Sequence, residues 1–84
     1  MNKSLLELLK EEEREVENIR FFTRSADNFI SHAENKEEGY NIDSCYRIAS
    51  EYEEKSQKSE ENLVEIRKGI KQYLSFLMEL EEKS

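Results

Sequence analysis

Uncharged residues recur along the second half of the chain with the spacing of one helix face. Between Ile42 and Leu80 the steps alternate between three and four residues. This alternation is typical of the side of a long amphipathic helix that packs against a partner helix. The stripe consists of Ile42, Cys45, Ala49, Tyr52, Ser56, Ser59, Leu63, Ile66, Ile70, Tyr73, Leu77 and Leu80. The pattern predicts a helix over about residues 42–82.

A second stripe with the same spacing runs through the first half of the chain, and it predicts a helix over about residues 5–34. It consists of Leu5, Leu9, Glu12, Val16, Ile19, Thr23, Ala26, Ile30 and Ala33, so only Glu12 brings a charge into it. Leu8, Phe22 and Phe29 widen the stripe toward its two ends. Ser4 followed by Glu7 has the spacing of a capping box, which indicates where this helix begins.

The two stripes are separated by residues 35–41, which have the composition of a turn. Asn35 or Gly39 can adopt the left-handed conformation that ends a helix, and Asn41 or Asp43 can cap the next one. Because so short a connection makes neighbouring helices antiparallel, residues 1–84 are predicted to form a single all-α domain, a long coiled-coil-like helical hairpin. If the stripes face each other directly, Ala33 pairs with Ile42 and Thr23 pairs with Tyr52.

The middle of the second stripe allows an alternative fold. Residues 55–62 contain no apolar side chain, so a break near 56–60 with Ser59 as a cap would give a three-helix bundle. A continuous helix is favoured because this stretch contains neither Gly nor Pro. In a continuous helix, Ser56 and Ser59 would form a polar and weakly packed waist, and Ser56→Leu is then predicted to be stabilising.

Composition narrows the possible partners. The chain has 84 residues and a formal net charge of −7, with 39% charged residues, so direct binding to nucleic acid is disfavoured. The charge that follows Leu5 and Leu6 comes too early for a signal peptide or a membrane span. Cys45 is the only cysteine, as expected in a reducing compartment. A cytoplasmic protein without membrane contact is therefore expected.

The helix predicted over 42–82 is longer than its partner, and its last residues are strongly apolar. A single hairpin cannot cover so many apolar side chains at its open end, and exposed patches of this kind mark association sites. The predicted interface consists of Leu5, Leu6, Leu8, Leu74, Phe76, Leu77, Met78 and Leu80. We expect it to join two copies into a homodimer with a four-helix arrangement.

No residue pattern indicates an enzyme, a cofactor or a metal site. His32 is the only histidine and lacks partners at metal-ligand spacing, so it is expected to be exposed and without a structural role. Cys45 lies in the apolar stripe, where a free cysteine acts as a small hydrophobic residue. Gly69 lies inside a predicted helix, where either a close helix approach or simple tolerance explains it.

The sequence therefore predicts a small acidic helical module that acts as an adaptor by binding a protein partner. Phe21 lies outside the stripe and is the best single candidate for a partner contact. An alternative function follows from the acidic runs, such as Glu11 to Glu13. Rows of carboxylates on a rigid rod can imitate nucleic-acid phosphates, as in phage-encoded inhibitors of nucleic-acid-binding proteins, so the chain could be such an inhibitor from a phage or mobile element.

In size and hairpin plan the chain resembles the small helical-hairpin substrates of type VII secretion systems. Those substrates carry a Trp-x-Gly turn, whereas this chain has no Trp. The resemblance implies a helical-hairpin fold and, as a further alternative function, a secreted effector or its helper. Because similar folds host unrelated functions, the resemblance on its own identifies no site residue.

Overall fold

The computed structural model of the protein describes residues 3–83, which form two helices, α1 (Leu5–Glu34) and α2 (Ile42–Lys83). The two helices pack along their length as a hairpin with extents of 67 × 17 × 15 Å, and no strand occurs within the described residues. The predicted all-α antiparallel hairpin is therefore confirmed. The predicted helices covered about 5–34 and 42–82, so the observed bounds differ from them by at most one residue.

Helix α1 begins where the sequence predicted it to begin. The Ser4 side chain accepts a hydrogen bond from the Glu7 backbone N–H at 3.2 Å, which satisfies one of the free amides of the first turn. The Tyr73 hydroxyl donates to the Lys3 carbonyl at 2.5 Å, and Lys3 forms an ion pair with Glu11 at 2.7 Å. The Tyr73 bond joins the start of α1 to α2, and the ion pair holds Lys3 against α1 itself.

The end of α1 has the hydrogen bonds of a Schellman motif. The Glu37 N–H donates to the His32 carbonyl and the Lys36 N–H donates to the Ala33 carbonyl, at 3.3 and 3.2 Å. Lys36 takes the left-handed conformation with φ of 52°, and Asn35 stays right-handed with φ of −82°. The assignment of Asn35 as a left-handed residue is therefore wrong, whereas Gly39 does have a positive φ of 87°.

Helix α2 is capped by Asn41, one of the two predicted caps. Its side-chain Oδ1 accepts from the Ser44 N–H at 3.0 Å, and its carbonyl accepts from the Cys45 N–H at 2.9 Å. From there α2 is continuous to Lys83, so the three-helix alternative with a break near 56–60 is not adopted. Ser59 lies in the helix interior and is not a cap.

Small side chains form most of the buried interface between the helices. Large side chains in a two-helix hairpin remain partly exposed to water, whereas small side chains become buried when the two backbones approach closely. The buried residues are Leu8, Ala26, Ala33, Cys45, Ala49, Ser56, Ser59 and Leu63. Ser56 is 9% exposed and Ser59 is 6% exposed, so the predicted waist is closed by small residues.

The register of the two helices differs from the predicted one. The hydroxyl oxygens of Thr23 and Ser56 lie 3.3 Å apart, whereas the prediction paired Thr23 with Tyr52. Ile42, predicted to pack on Ala33, is 41% exposed, and burial on α2 begins at Cys45. The first turn of α2 extends past the end of the core, and the partners on α2 are shifted toward its C-terminus.

Polar bonds cross between the helices beside the buried serines. The Arg67 guanidinium donates to Glu12 Oε2 at 2.9 Å, and the Asn62 amide donates to Glu15 Oε2 at 3.4 Å. Both carboxylates lie on the inward-facing side of α1 and are only half-buried. This position costs little free energy, because each carboxylate keeps both a hydrogen-bond donor on α2 and access to water.

Candidate interaction surfaces

The strongest candidate site is the open end of the hairpin. Because the Tyr73 hydroxyl bonds to the Lys3 carbonyl, α2 residues beyond Tyr73 extend past the start of α1. We call residues 74–83 the overhang, and at ~1.5 Å per residue it extends about 15 Å. Its large apolar side chains are about half exposed or more, unlike those of the buried helix interface.

Large apolar side chains of both helices are exposed at this end. Leu6 is 62% exposed on α1, and Phe76 and Met78 are 56% and 63% exposed on the overhang. Leu5 is half-buried beside them. We define the open-end surface as the apolar residues of this region that remain accessible, namely Leu5, Leu6, Leu9, Leu74, Phe76, Leu77, Met78 and Leu80.

Leu8 was predicted to belong to this surface, and that assignment is wrong. It is 5% exposed, and its Cδ1 lies 3.3 Å from where a Cβ on Gly69 would stand. The missing side chain at Gly69 lets Leu8 pack against the α2 backbone, so close helix approach explains this glycine. Leu9, predicted to face α2, is 44% exposed instead. The sequence placed Leu8 with Phe22 and Phe29, 14 and 21 residues later, as a widening of the stripe and did not predict this exchange.

Phe21, predicted as a partner contact, is 58% exposed on one long edge of the hairpin. Its ring packs edge-on against Phe22 and Tyr52, with centroid distances of 5.7 and 6.3 Å. Tyr52 also stacks on Phe29 at 6.1 Å, and Lys55 Nζ lies 5.5 Å from the Tyr52 centroid. Phe21 is therefore the accessible end of an aromatic row, and its contacts with the rings of Phe22 and Tyr52 hold it in place.

His32 was predicted to be exposed and idle, and the structure corrects this. The ring is half-buried, stacks on Tyr40 with centroids 4.2 Å apart, and hydrogen-bonds through Nδ1 to Glu37. Phe29 meets the ring edge-on at 6.1 Å. His32 therefore ties the turn to the last part of α1. The five-residue spacing to Glu37 gave no signal because the contact depends on the chain reversing after Asn35.

The residues that could bind a metal or act as a nucleophile are dispersed in the described part of the chain. No group of three or more His, Cys, Asp or Glu residues in residues 3–83 could hold a metal ion. Cys45 is a buried free thiol in the helix interface, 2% exposed. Within the same residues, no helix has the length and apolar character needed to cross a membrane.

Carboxylates gather along the edge opposite the aromatic row. Asp27, Glu53 and Glu60 line one shallow groove together with the hydroxyls of Thr23 and Ser56. None of the three carboxylates forms an ion pair within the described part of the chain. The two long edges of the hairpin thus differ: one is aromatic with a lysine over a ring, and the other carries these carboxylates, with Arg20 and Arg24 lining a neighbouring groove beside Asp27.

No protein-family model, no curated protein and no solved structure matches this chain. Function is therefore inferred from the surfaces of the molecule alone.

Proposed function

We propose that the protein is a small acidic interaction module, which self-associates through its open-end surface and binds a protein partner as an adaptor in the cytoplasm. The observation that carries the proposal is the overhang, where five large apolar side chains are about half exposed or more: Leu74, Phe76, Leu77, Met78 and Leu80. Contiguous apolar surface of this kind is costly to leave in water. Its position at one end of a rod makes it accessible to another molecule.

A second copy is the simplest partner for this surface. A two-fold contact lets the same residues serve both subunits, so one apolar patch covers another without a new surface being needed. The contact joins two hairpins into an arrangement of four helices. Leu77 lies in the middle of the overhang sequence and serves as an anchor together with the aromatic ring of Phe76.

The aromatic row provides a separate contact for a different protein. Phe21 is held by its neighbours and needs little ordering on binding, which lowers the entropic cost of using it as an anchor. Arg20 and Arg24 are close to it in sequence, are exposed, and line a neighbouring groove with Thr23 and Asp27. Aromatic and arginine side chains are enriched among the residues that dominate binding energy at protein interfaces.

Sedimentation equilibrium of the full chain tests the self-association. We expect a reversible monomer–dimer equilibrium at tens of micromolar. The eight residues of the open-end surface are fewer than the roughly 20–30 residues that each partner contributes to a stable interface. A strict monomer up to several hundred micromolar would remove the homodimer from the proposal. The partner contact is tested by pull-down from the source cells with wild-type chain and with Phe21→Ser, which should lose specifically bound protein.

The acidic groove of Asp27, Glu53 and Glu60 supports a second candidate function, inhibition of a nucleic-acid-binding protein by mimicry of phosphates. Titrating any captured complex with salt separates the two candidates. A complex held by rows of carboxylates should lose affinity steeply between ~0.05 and ~0.5 M salt, whereas an apolar contact through Phe21 should change little. Replacing the three acids with Asn or Gln should then remove binding only in the mimicry case.

A further inference from the structure

The edge of the hairpin that carries the acidic groove has a second, apolar part at the open end. The buried residues Ala49, Ser56 and Leu63 follow one another at intervals of seven, so the helix interface repeats every seven residues. Positions that differ by multiples of seven therefore lie on the same edge. Asp27 and Glu60 mark this edge, because they line the acidic groove on α1 and on α2.

On α1, the same edge becomes apolar toward the open end. Leu9 lies two intervals of seven before Thr23 of the groove, and Leu6 lies three intervals before Asp27. Leu9 is 44% exposed and Leu6 is 62% exposed. Helix α1 thus presents two accessible leucines on this edge at the open end.

Helix α2 shows the same change. Leu74 lies two intervals of seven after Glu60, and Met78 lies three intervals after Gln57, which also lines the groove. Leu74 is 49% exposed and Met78 is 63% exposed. The edge therefore has an acidic part nearer the turn and an apolar part at the open end, and both helices contribute to each part.

The middle of the edge carries charges of both signs. Seven-residue intervals place Arg20 and Glu13 there on α1, and Arg67 and Lys71 on α2. The charge of Arg67 is paired with Glu12 at 2.9 Å. The three carboxylates of the groove, in contrast, form no ion pair within residues 3–83. Uncompensated negative charge therefore marks the part of the edge nearer the turn.

We propose that this edge binds one amphipathic helix of another protein, which carries basic residues at one end and apolar residues at the other. A helix fits because the edge runs between two antiparallel helices, where a third helix completes a three-helix bundle. From Glu53 to Met78 the edge is about 38 Å long at ~1.5 Å per residue, so the docked helix has about 25 residues. Its Lys or Arg side chains pair with the groove carboxylates, and its apolar side chains cover the exposed leucines and methionine.

This site goes beyond the proposed function, which assigns the partner contact to Phe21 on the opposite edge. It also makes helix binding and self-association compete, because Leu6, Leu74 and Met78 belong to the open-end surface. The net charge of −7 attracts a basic helix at long range. The apolar part of the edge then favours a helix with an apolar end over one that is basic throughout.

A synthetic helical peptide of about 25 residues, matched to the length of the edge, is the probe. One face carries leucines in its first half and lysines in its second half, and a second peptide replaces the lysines with glutamates. Fluorescence anisotropy of the labelled peptides, titrated with the full chain at ~0.15 M salt, measures binding. The glutamate peptide should bind at least about tenfold more weakly, because its charges meet the groove carboxylates.

Reversing the charge of the groove tests where the peptide lies. Asp27→Lys/Glu53→Lys/Glu60→Lys should weaken binding of the lysine peptide about tenfold or more and make the glutamate peptide the preferred one. Circular dichroism confirms that the variant remains helical before affinities are compared. A variant that keeps the preference of the wild type for lysine would overturn the proposal.

The matched control places the same three charges elsewhere. Glu17→Lys/Glu51→Lys/Glu54→Lys changes the net charge equally, but these acids do not line the groove. Binding of the lysine peptide should stay within about threefold of the wild type, because charges beyond a Debye length of ~8 Å are screened at this salt concentration. A loss equal to that of the groove variant would show attraction to overall charge alone and would overturn the site.

The apolar part is tested by Leu9→Asp, which should weaken binding of both peptides about tenfold or more by placing a charge in an apolar contact. Ile42→Asp is the control, since Ile42 is similarly exposed at 41% but lies outside the edge from Glu53 to Met78. A lysine peptide that binds equally well to the Leu9 variant, or that shows no binding to the wild type up to ~100 µM, would overturn the proposal. Neither result bears on self-association, which sedimentation of the chain alone measures.

Discussion

The two ends of the hairpin are built in opposite ways. At the turn, both helix ends are completed by the Lys36 and Asn41 caps, and the Tyr40 ring stacks on His32. At the open end, α2 extends past α1 and exposes Phe76 and Leu77, and the Tyr73 hydroxyl joins α2 to the Lys3 carbonyl just before α1. The turn end is closed by contacts within the chain, whereas the described residues leave apolar surface exposed at the open end.

The difference between the two ends separates residues that stabilise the fold from residues that are available for binding. Capping bonds and ring stacking satisfy backbone and side-chain groups locally, so the turn end is explained by the stability of the hairpin. Exposed apolar side chains on a helix with no neighbour add nothing to the stability of a monomer. Changes at the turn should therefore alter folding, and changes at the open end should alter association.

The largest expected effect comes from removing the apolar anchors of the open end. Leu77→Asp with Phe76→Ser should weaken self-association a hundredfold or more, because each copy would bring one carboxylate into the apolar contact and lose the Phe76 ring. Light scattering at matched concentrations measures this. Val64→Asp is the control, since Val64 is equally exposed but lies outside the overhang. A dimer unaffected by the double change would place the interface elsewhere.

A substitution at the buried serines between the two ends tests how closely the helices approach. The sequence predicted that Ser56→Leu would stabilise the hairpin. Because Ser56 is already buried, with its hydroxyl 3.3 Å from that of Thr23, we now expect destabilisation of ~1–3 kcal/mol from overpacking. Thermal unfolding measures it, with Ser56→Ala as the small control. A higher melting temperature for the leucine variant would show that the waist has room.

The cap of α2 should matter for folding and leave association unchanged. Asn41→Ala removes the acceptor for the Ser44 N–H and should lower the free energy of unfolding by ~1 kcal/mol. Chemical denaturation of the monomer gives this value. The dissociation constant of the dimer should stay within twofold of the wild-type value. A larger change would mean that the turn end takes part in the contact between copies.

The smallest effects concern the left-handed residues of the turn. Lys36→Gly should stabilise the hairpin by ~0.5–1 kcal/mol, because glycine adopts a φ of 52° without the strain of a side chain. Gly39→Ala should destabilise the hairpin by a similar ~1 kcal/mol, because its φ of 87° is strained for alanine. No neighbouring atom lies within 4 Å of the new Cβ, so the backbone strain is the whole effect. Denaturation curves showing equal signs for both changes would contradict this account of the turn.

Helix limits could be predicted from the sequence because they depend on local signals. Ser4 and Asn41 act as caps where their side chains can reach free amides, and the apolar spacing continues without Gly or Pro through Ser56. The register could not be predicted, because it depends on how the turn residues span the gap between the helices. The left-handed residue at Lys36 was unexpected for the same reason, since lysine has no preference for that conformation.

The residues of the open-end surface were predicted in outline, but Leu8 was wrongly included and Leu9 was left out. The overhang follows from the unequal lengths of the two stripes, so the exposure of Phe76 and Leu77 was expected. Leu8 and Leu9 exchanged roles because the interface of α1 follows a seven-residue repeat there, with Leu8 resting on Gly69.

The contrast between the two ends is tested most directly by amide spectra of ¹⁵N-labelled protein recorded from ~10 µM to ~500 µM, a range that brackets the expected dissociation constant. Concentration-dependent shifts should be confined to residues 67–83 and to the first two turns of α1. Amides of residues 35–50 should stay constant. Spectra that do not change with concentration, or that change mainly around Lys36 and Asn41, would contradict the account.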